Sequence, residues 1–260
     1  MKTEIHNKKK HLLISLGIIC LFGVIYAQDS KPKPKVTPQP AVTTKPPAAK
    51  TTTTKATSDT TNNKYGTVTD IDGNVYKTVK IGNQIWMAEN LKTTHYNDGT
   101  PIPNVMDNEK WKKLKEGACC YYNNAYSKSL TYGMLYNWYA VNTGKLAPKG
   151  WHVPSDSELQ VLVDFLGGHT IAGEKLKSTT GWENNGNGKN SFGFNGLPAG
   201  GRGNDGLFQK IGYLSYFWSS TEDYYKDGYG LGRGLGYEYS ISYKFSTSKN
   251  RGFSVRCIKD

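Results

Sequence analysis

The sequence predicts an α+β fold in a single domain, built from short strands, a few short helices and long loops rich in glycine and aromatic residues. Three observations carry this reading. Residues 65–91 alternate in strand fashion and break at Asp72-Gly73 and Gly82-Asn83, pairs that tolerate the positive φ of hairpin turns. Residues 155–166 combine a helix start with an apolar stripe at helical spacing. Past Ser178, strand-like segments such as "YFWSS", "EYSISYKF" and "GFSVRCI" are separated by glycine-rich stretches. No repeat recurs at a fixed period, which disfavours solenoids and propellers.

At the N-terminus, Lys8, Lys9 and Lys10 precede a mostly apolar run over residues 12–25, and "IYAQ" offers cleavage after Ala27. Residues 1–27 therefore read as a secretory signal peptide. The apolar run is short for a membrane span, so an uncleaved anchor is the lesser alternative and the one expected membrane contact. Ile19 stands before Cys20 where a lipobox has a small residue, which disfavours a lipid anchor. Residues 28–63 are nearly all Lys, Pro, Thr, Ala, Ser, Gln, Val, Asp and Asn. Without large apolar side chains they cannot offset the entropy of ordering, and they read as a disordered Pro/Thr/Lys-rich linker. Its Ser and Thr residues are open to O-glycosylation, although a plain spacer is the simpler reading. The folded domain is expected over residues 64–260.

The formal charge of +12 lies mostly outside that domain. Residues 1–27 carry four lysines and one glutamate, and residues 28–64 carry seven lysines and two aspartates. That leaves 22 basic and 18 acidic residues in 65–260, a net of +4 without a basic run. Nucleic acid is not an expected partner. Beyond the signal, Cys119, Cys120 and Cys257 remain. In an oxidising compartment, three cysteines predict one disulfide and one leftover thiol. There is no C-x-x-C pair, and His95, His152 and His169 lack ligand spacing to the cysteines. Neither a metal nor a cofactor is expected.

The elements follow in order. "DIDGN" is read as a turn, since the later glutamate of a calcium loop is missing. "DNEKWKKLKEG" predicts a short helix with Trp111 and Leu114 on one side and Gly117 as its stop. "TYGMLYNWYAVNTG" places Leu135, Trp138, Tyr139 and Asn142 at helical spacing, read as a second helix with a core stripe. "GWHVPSDSELQVLVDFLGG" crowds His152, Ser155, Asp156 and Glu158 into seven positions. Ser155 and Glu158 have the spacing of a reciprocal capping box, and Asp156 and Glu158 place negative charge at the helix N-terminus. Leu159, Leu162, Val163 and Leu166 form the stripe, and Gly167-Gly168 ends the helix. His152 precedes the cap, and no G-x-S-x-G elbow places a nucleophile beside it. The cluster reads as a helix start, not as a catalytic set.

The segments "DIDGNVYKTVKIGNQIWMAENLK", "YGMLYNWYAV", "KGWHVPSDSE", "WSSTE" and "GFSVRCIKD" occur in this order. Together they resemble the Fibrobacter succinogenes major paralogous domain, a family of exported bacterial proteins abundant in Bacteroidota. More distantly, "VPSDSELQVL" and "GFSVRC" are similar to segments of formylglycine-generating proteins. That second likeness implies a C-type-lectin-like fold. Family members often carry Trp where Leu159 stands here, and a cysteine where Ala147 stands. That cysteine would be the partner of Cys257, so the family bridge does not transfer unchanged. The related pattern "YCWYNN" aligns its cysteine with Cys120 of "CCYYNN", and on that resemblance the expected bridge is Cys120–Cys257. The lectin signatures E-P-N and Q-P-D are absent, and "WEN" at 182–184 resembles W-N-D only faintly, so calcium-dependent sugar binding is not implied. The oxidase cysteines of formylglycine-generating enzymes have no counterpart.

The functional expectation is a noncatalytic binding module, secreted or on the surface of a Gram-negative bacterium, with a surface glycan or protein as partner. Aromatic rings beside carboxylates and amides supply stacking faces and hydrogen-bonding edges. The candidate ligand-binding residues are Trp218, Glu222, Asp223, Tyr224 and Tyr225 in "WSSTEDYYKDGYG". The alternative reading of that segment is a strand end at Trp218 followed by a solvated loop. Two other classes stand beside the binding module. One is an envelope enzyme using Cys119, Cys120 or dispersed carboxylates, and the other is a structural component of a surface assembly.

Overall fold

Short strands outnumber helices in the computed structural model, which describes residues 65–260. The expected signal peptide and linker, residues 1–63, lie outside the described residues. Among the described residues no helix is long and apolar enough to cross a membrane.

The first sheet has the order β1-β2-β3-β12-β6, with β1 (Tyr65–Thr69), β2 (Val75–Ile81), β3 (Gln84–Met87), β6 (Trp151–His152) and β12 (Ile258–Lys259). Its opening turn forms as the sequence predicts. Asp70 Oδ1 accepts the N–H groups of Asp72 and Asn74 at 3.0 and 2.9 Å, and Gly73 adopts a φ of +80°. An Asx-type turn with a left-handed glycine is what "DIDGN" encodes. β12 runs antiparallel to both neighbours, pairing Ile258 with Trp86 and with His152, so the end of the domain is stitched to its beginning.

The second sheet has the order β11-β10-β9-β7-β8, with β7 (Ala199–Arg202), β8 (Phe208–Ile211), β9 (Leu214–Glu222), β10 (Tyr229–Gly236) and β11 (Ser242–Ser248). β10 reads "YGLGRGLG", and its alternate glycines let aromatic rings lie on its backbone. A Cβ on Gly232 would meet Phe245, and one on Gly234 would meet Tyr243, their cross-strand partners. A third, two-stranded sheet pairs β4 (Cys119–Cys120) with β5 (Leu135–Tyr136).

The helices are α1 (Asn108–Lys112), α2 (Tyr126–Tyr132), α3 (Trp138–Val141), α4 (Asp156–Phe165) and α5 (His169–Leu176). α1 and α4 lie where the sequence puts them, and α4 carries the complete capping box between Ser155 and Glu158. The helix expected within residues 131–144 is shorter. Gly133, at φ +74°, ends α2, and Leu135 and Tyr136 pair instead with the cysteine strand. Asn137 then starts a four-residue helix by accepting the Ala140 N–H at 3.0 Å.

Three apolar clusters make the core. The first gathers Trp138, Trp218, Phe253, Tyr136 and Cys257. The second packs the α4 stripe against Trp86, Phe194, Phe217 and Leu235. The third holds Trp111, Cys120, Tyr122 and Leu135. This arrangement corrects the expected Cys120–Cys257 disulfide, because all three cysteines are free and buried. Side chains alternate along β4, so Cys119 joins the first cluster with Cys257, while Cys120 points into the third. The two residues of the expected bridge thus serve as small apolar groups in separate clusters.

Among the described residues, two guanidinium groups, those of Arg202 and Arg256, are buried without a carboxylate partner. Arg202 donates to the carbonyls of Gly206, Val105 and Met106 and lies between the rings of Trp111 and Phe208. Arg256 donates to Asn90 Oδ1 and to the carbonyls of Phe194 and Asn195. Each cross-links loops distant in sequence by satisfying carbonyls that the sheets leave free.

Candidate functional site

Strands β9 and β10 are joined by the six residues 223–228, which hold three of the five candidate binding residues, Asp223, Tyr224 and Tyr225, while Glu222 ends β9 and Trp218 lies further back on it. The turn is fixed by its own side chains. Asp223 Oδ1 accepts the Tyr225 N–H at 3.0 Å, and its Oδ2 accepts the Ser246 hydroxyl from β11. The Ser246 hydroxyl and the Tyr225 amide hold the Asp223 carboxyl below the usual carboxylate range. Tyr224 and Tyr225 project from this fixed tip with 89% and 92% of their surface exposed. Their rings meet edge to face, 5.2 Å apart at 89°. Two adjacent, solvated aromatic side chains on an ordered hairpin form an apolar feature that the fold itself does not use.

Trp218 departs from the expectation. It is fully buried, donates its indole N–H to Tyr136 O at 2.8 Å, and packs on Phe253. It belongs to the core, not to the binding surface. Between Trp218 and Glu222 the β9–β10 register shifts by a bulge. The bulged residues bond to partners outside the β9–β10 ladder. Ser219 O accepts the Trp138 indole N–H at 2.9 Å, Ser220 N–H donates to Pro154 O at 2.8 Å, and Thr221 Oγ1 accepts the Asp156 N–H at 2.9 Å. Bulges commonly re-aim a strand end in this way. Gly230, across from Glu222, lies against the Trp138 ring, where a Cβ would come within 2.4 Å of it.

Beside the tyrosines lies an open depression of about 460 Å³ that Asp156, Thr221, Leu231, Lys244, Phe245 and Ser246 line together with residues 222–225. Its charges are paired. Asp156 Oδ2 meets Lys244 Nζ at 2.7 Å and its Oδ1 lies 3.7 Å from Arg233. Glu222 pairs with Lys249, whose ammonium sits over the Trp138 ring at 4.5 Å. Asp156 Oδ1 is buried, and no hydrogen-bond donor reaches it. A larger depression, about 660 Å³, lies between Gly66, Thr67, Lys77, Glu89 and the loop 190–195. It has no aromatic lining, so size alone does not make it the better site for stacking.

The crowded His152 cluster resolves into a chain of hydrogen bonds. His152 Nδ1 meets Asp260 Oδ1 at 2.6 Å and its Nε2 meets Glu158 Oε1 at 2.8 Å. Ser155 Oγ donates to Glu158 Oε2 at 2.7 Å, so the serine contacts a carboxylate and not the imidazole. That geometry fits a helix start and offers no serine–histidine pair. The thiols are equally unsuited to nucleophilic work. Burial pushes all three up, that of Cys120 to about 12.

The family model described as the Fibrobacter succinogenes major domain matches residues 79–259. The chain belongs to this family. No curated protein and no solved structure matches it significantly. The Fibrobacter succinogenes major domain span starts within β2 and contains the whole hairpin, its bulge and the depression. Residues such as Arg233 and Lys244 enter the site through the strand pairing of β10 with β11, which places Arg233 opposite Lys244. The one sequence signal for them was the strand pattern of those segments.

Proposed function

We propose that this Fibrobacter succinogenes major domain protein is a noncatalytic binding module, secreted or held at the cell surface, that takes glycan or protein ligands at its β9–β10 hairpin. The observation that carries the reading is the exposed Tyr224–Tyr225 pair on a tip fixed by Asp223 and Ser246. A rigid aromatic tip loses little conformational freedom on contact, which favours association. The export signal read in residues 1–27 and the Pro/Thr/Lys-rich residues 28–63 support a location outside the cytoplasm. Buried thiols are compatible with such a place, since burial shields them from oxidants. The domain's small net charge supports surface glycans or proteins as partners ahead of nucleic acid.

We also infer a C-type-lectin-like arrangement. Its support is that the residues flanking the two similar segments pair in the fold: β6, immediately before "VPSDSELQVL", pairs with β12, immediately after "GFSVRC". The functional reading is tested by displaying the intact protein to panels of immobilised bacterial and host glycans and of envelope proteins. Saturable binding to at least one class is expected. A protein that binds neither panel, yet is folded by circular dichroism, contradicts the reading.

A further inference from the structure

Two hollows away from the hairpin, of about 660 and 150 Å³, are both lined by Glu89 and Asn195 and so run together into one trough. Its floor includes the outer end of the β1–β2 ladder, where Thr67 pairs with Lys77, and its wall is the loop 190–195. Asn190 and Asn195 hold left-handed φ values of +44° and +54°, and Asn190 Oδ1 accepts the Asn195 N–H at 2.7 Å. A wall fixed by its own side chains before contact loses little freedom on binding.

The trough is positive. Lys77 and Lys92 line it, and among the described residues neither ammonium has a carboxylate partner. Beneath them the buried Arg256 guanidinium donates to Asn195 O at 3.3 Å and to Asn90 Oδ1 at 2.7 Å, both on lining residues. Glu89 is the one carboxylate on the lining, and its Oε2 accepts the Lys77 backbone N–H at 2.8 Å. Asp70 lies behind Tyr76, with its oxygens engaged by Asp72, Asn74 and the Tyr76 hydroxyl. Three cations thus stand against two carboxylates. The hairpin depression has the opposite sign, with Asp156, Glu222 and Asp223 on its lining against Lys244.

Unpaired ammonium groups call for an anionic ligand, and side-chain amides and hydroxyls call for one rich in O–H groups. The Asn190 Nδ2 and the Asn195 side-chain amide have no protein partner, and Thr67 and Thr131 add hydroxyls. Among the residues that line the larger hollow, Ala88 alone has an apolar side chain, so the apolar anchors of peptide docking are missing there. We propose that this trough is a second ligand site that takes an acidic saccharide. Lys77 and Lys92 meet its anionic groups, and the Asn190 and Asn195 amides meet its hydroxyls. Binding here does not require the tyrosine tip.

The experiment measures binding of the intact protein to oligogalacturonate, to a sialylated and a sulfated oligosaccharide, to neutral galacto-oligosaccharides, and to a Glu-rich peptide. At least one acidic saccharide is expected to bind more tightly than the neutral sugars and the peptide. Its affinity should fall at least about threefold between roughly 0.05 and 0.5 M salt. Lys77→Gln/Lys92→Gln should weaken that binding at least about threefold, since two exposed charge pairs are lost. Glu89→Gln should strengthen it, because the amide still accepts the Lys77 N–H while the opposing charge is gone. Unfolding midpoints confirm that each variant folds. Equal or tighter binding of the neutral sugars or of the peptide overturns the inference, as does binding to none of the probes. A smaller salt effect, a smaller loss on removing the lysines, or no gain in Glu89→Gln overturns it too. Tyr224→Ala/Tyr225→Ala should leave the acidic-saccharide affinity unchanged, which separates failure of the hairpin reading from failure of the trough. A loss in that variant would place the acidic saccharide at the hairpin and overturn the second site.

Discussion

Thr221 Oγ1 accepts the backbone N–H of Asp156 at 2.9 Å, which ties the bulge below the tyrosine hairpin to the first turn of α4. That N–H is one of the groups a helix N-terminus leaves without an intrahelical partner. Ser155 satisfies another, the N–H of Glu158, at 3.3 Å. The helix start is therefore capped once from its own sequence and once from a strand 65 residues away.

Both caps predict measurable costs. Ser155→Ala is expected to lower stability by about 1 kcal/mol, and Thr221→Val by about 1–2 kcal/mol, because its methyl group leaves the Asp156 N–H unpaired. Urea unfolding of each variant checks this. An unchanged midpoint for Thr221→Val would show that the bulge is not anchored through that hydroxyl.

A second prediction concerns pH. Burial alone would lower the His152 pKa, but the hydrogen bonds to Asp260 and Glu158 outweigh it and raise the value above 6.5. A raised folded value means that the charged imidazole stabilises fully below the ordinary value, and that this contribution fades as pH rises through the folded one. The stability difference between the natural protein and His152→Gln should therefore shrink from about pH 5.5 to about pH 8.5. A difference that grows over that interval contradicts the assignment.

Arg256 makes a third case. Burial lowers its pKa to about 9, and neutral oxygens alone satisfy it. Arg256→Met should destabilise by about 2–4 kcal/mol by leaving Asn90 Oδ1 and the Phe194 carbonyl without donors. Arg256→Lys should not restore stability, since one ammonium lacks the fork that reaches both sides. Full stability of the lysine variant would argue against the cross-linking role.

The cysteines allow a chemical test. Cys119, Cys120 and Cys257 are buried, so Ellman's reagent should leave them unmodified in the native protein. After unfolding without reductant, all three should react. A missing pair of thiols would reveal a disulfide.

What the sequence disclosed was local. The Asp70–Asn74 turn, the α4 cap and the α4 stripe each depend on residues within about one or two helical turns of each other, and all formed. Helix α5 escaped notice because it starts from Gly168 without a side-chain cap and contains Gly173. That glycine has a distant reason, since a Cβ there would fall 2.2 Å from Ile241 O. The shortened helix near Trp138 and the separation of Cys120 from Cys257 both trace to β4 and β5, which pair across the sequence and turn Cys120 into a different cluster. In the candidate site, the sequence marks residues 218–230 as a candidate binding loop, and within it Tyr224 and Tyr225 are exposed. Trp218 was misplaced because the bulge that separates it from Glu222 leaves no mark in the pattern. Arg233 and Lys244 could be assigned to the site only once the register of β10 and β11 was known.

The fixed tyrosine tip is proposed as the binding surface. Its most direct test compares the intact protein with Tyr224→Ala/Tyr225→Ala on the glycan and envelope-protein panels, with thermal unfolding of both run in parallel. Both rings are almost wholly exposed, so the substitutions should leave the melting temperature nearly unchanged. Binding should fall at least about tenfold, as expected when aromatic anchors are removed from an interface. Undiminished binding by a variant of unchanged stability would contradict the account.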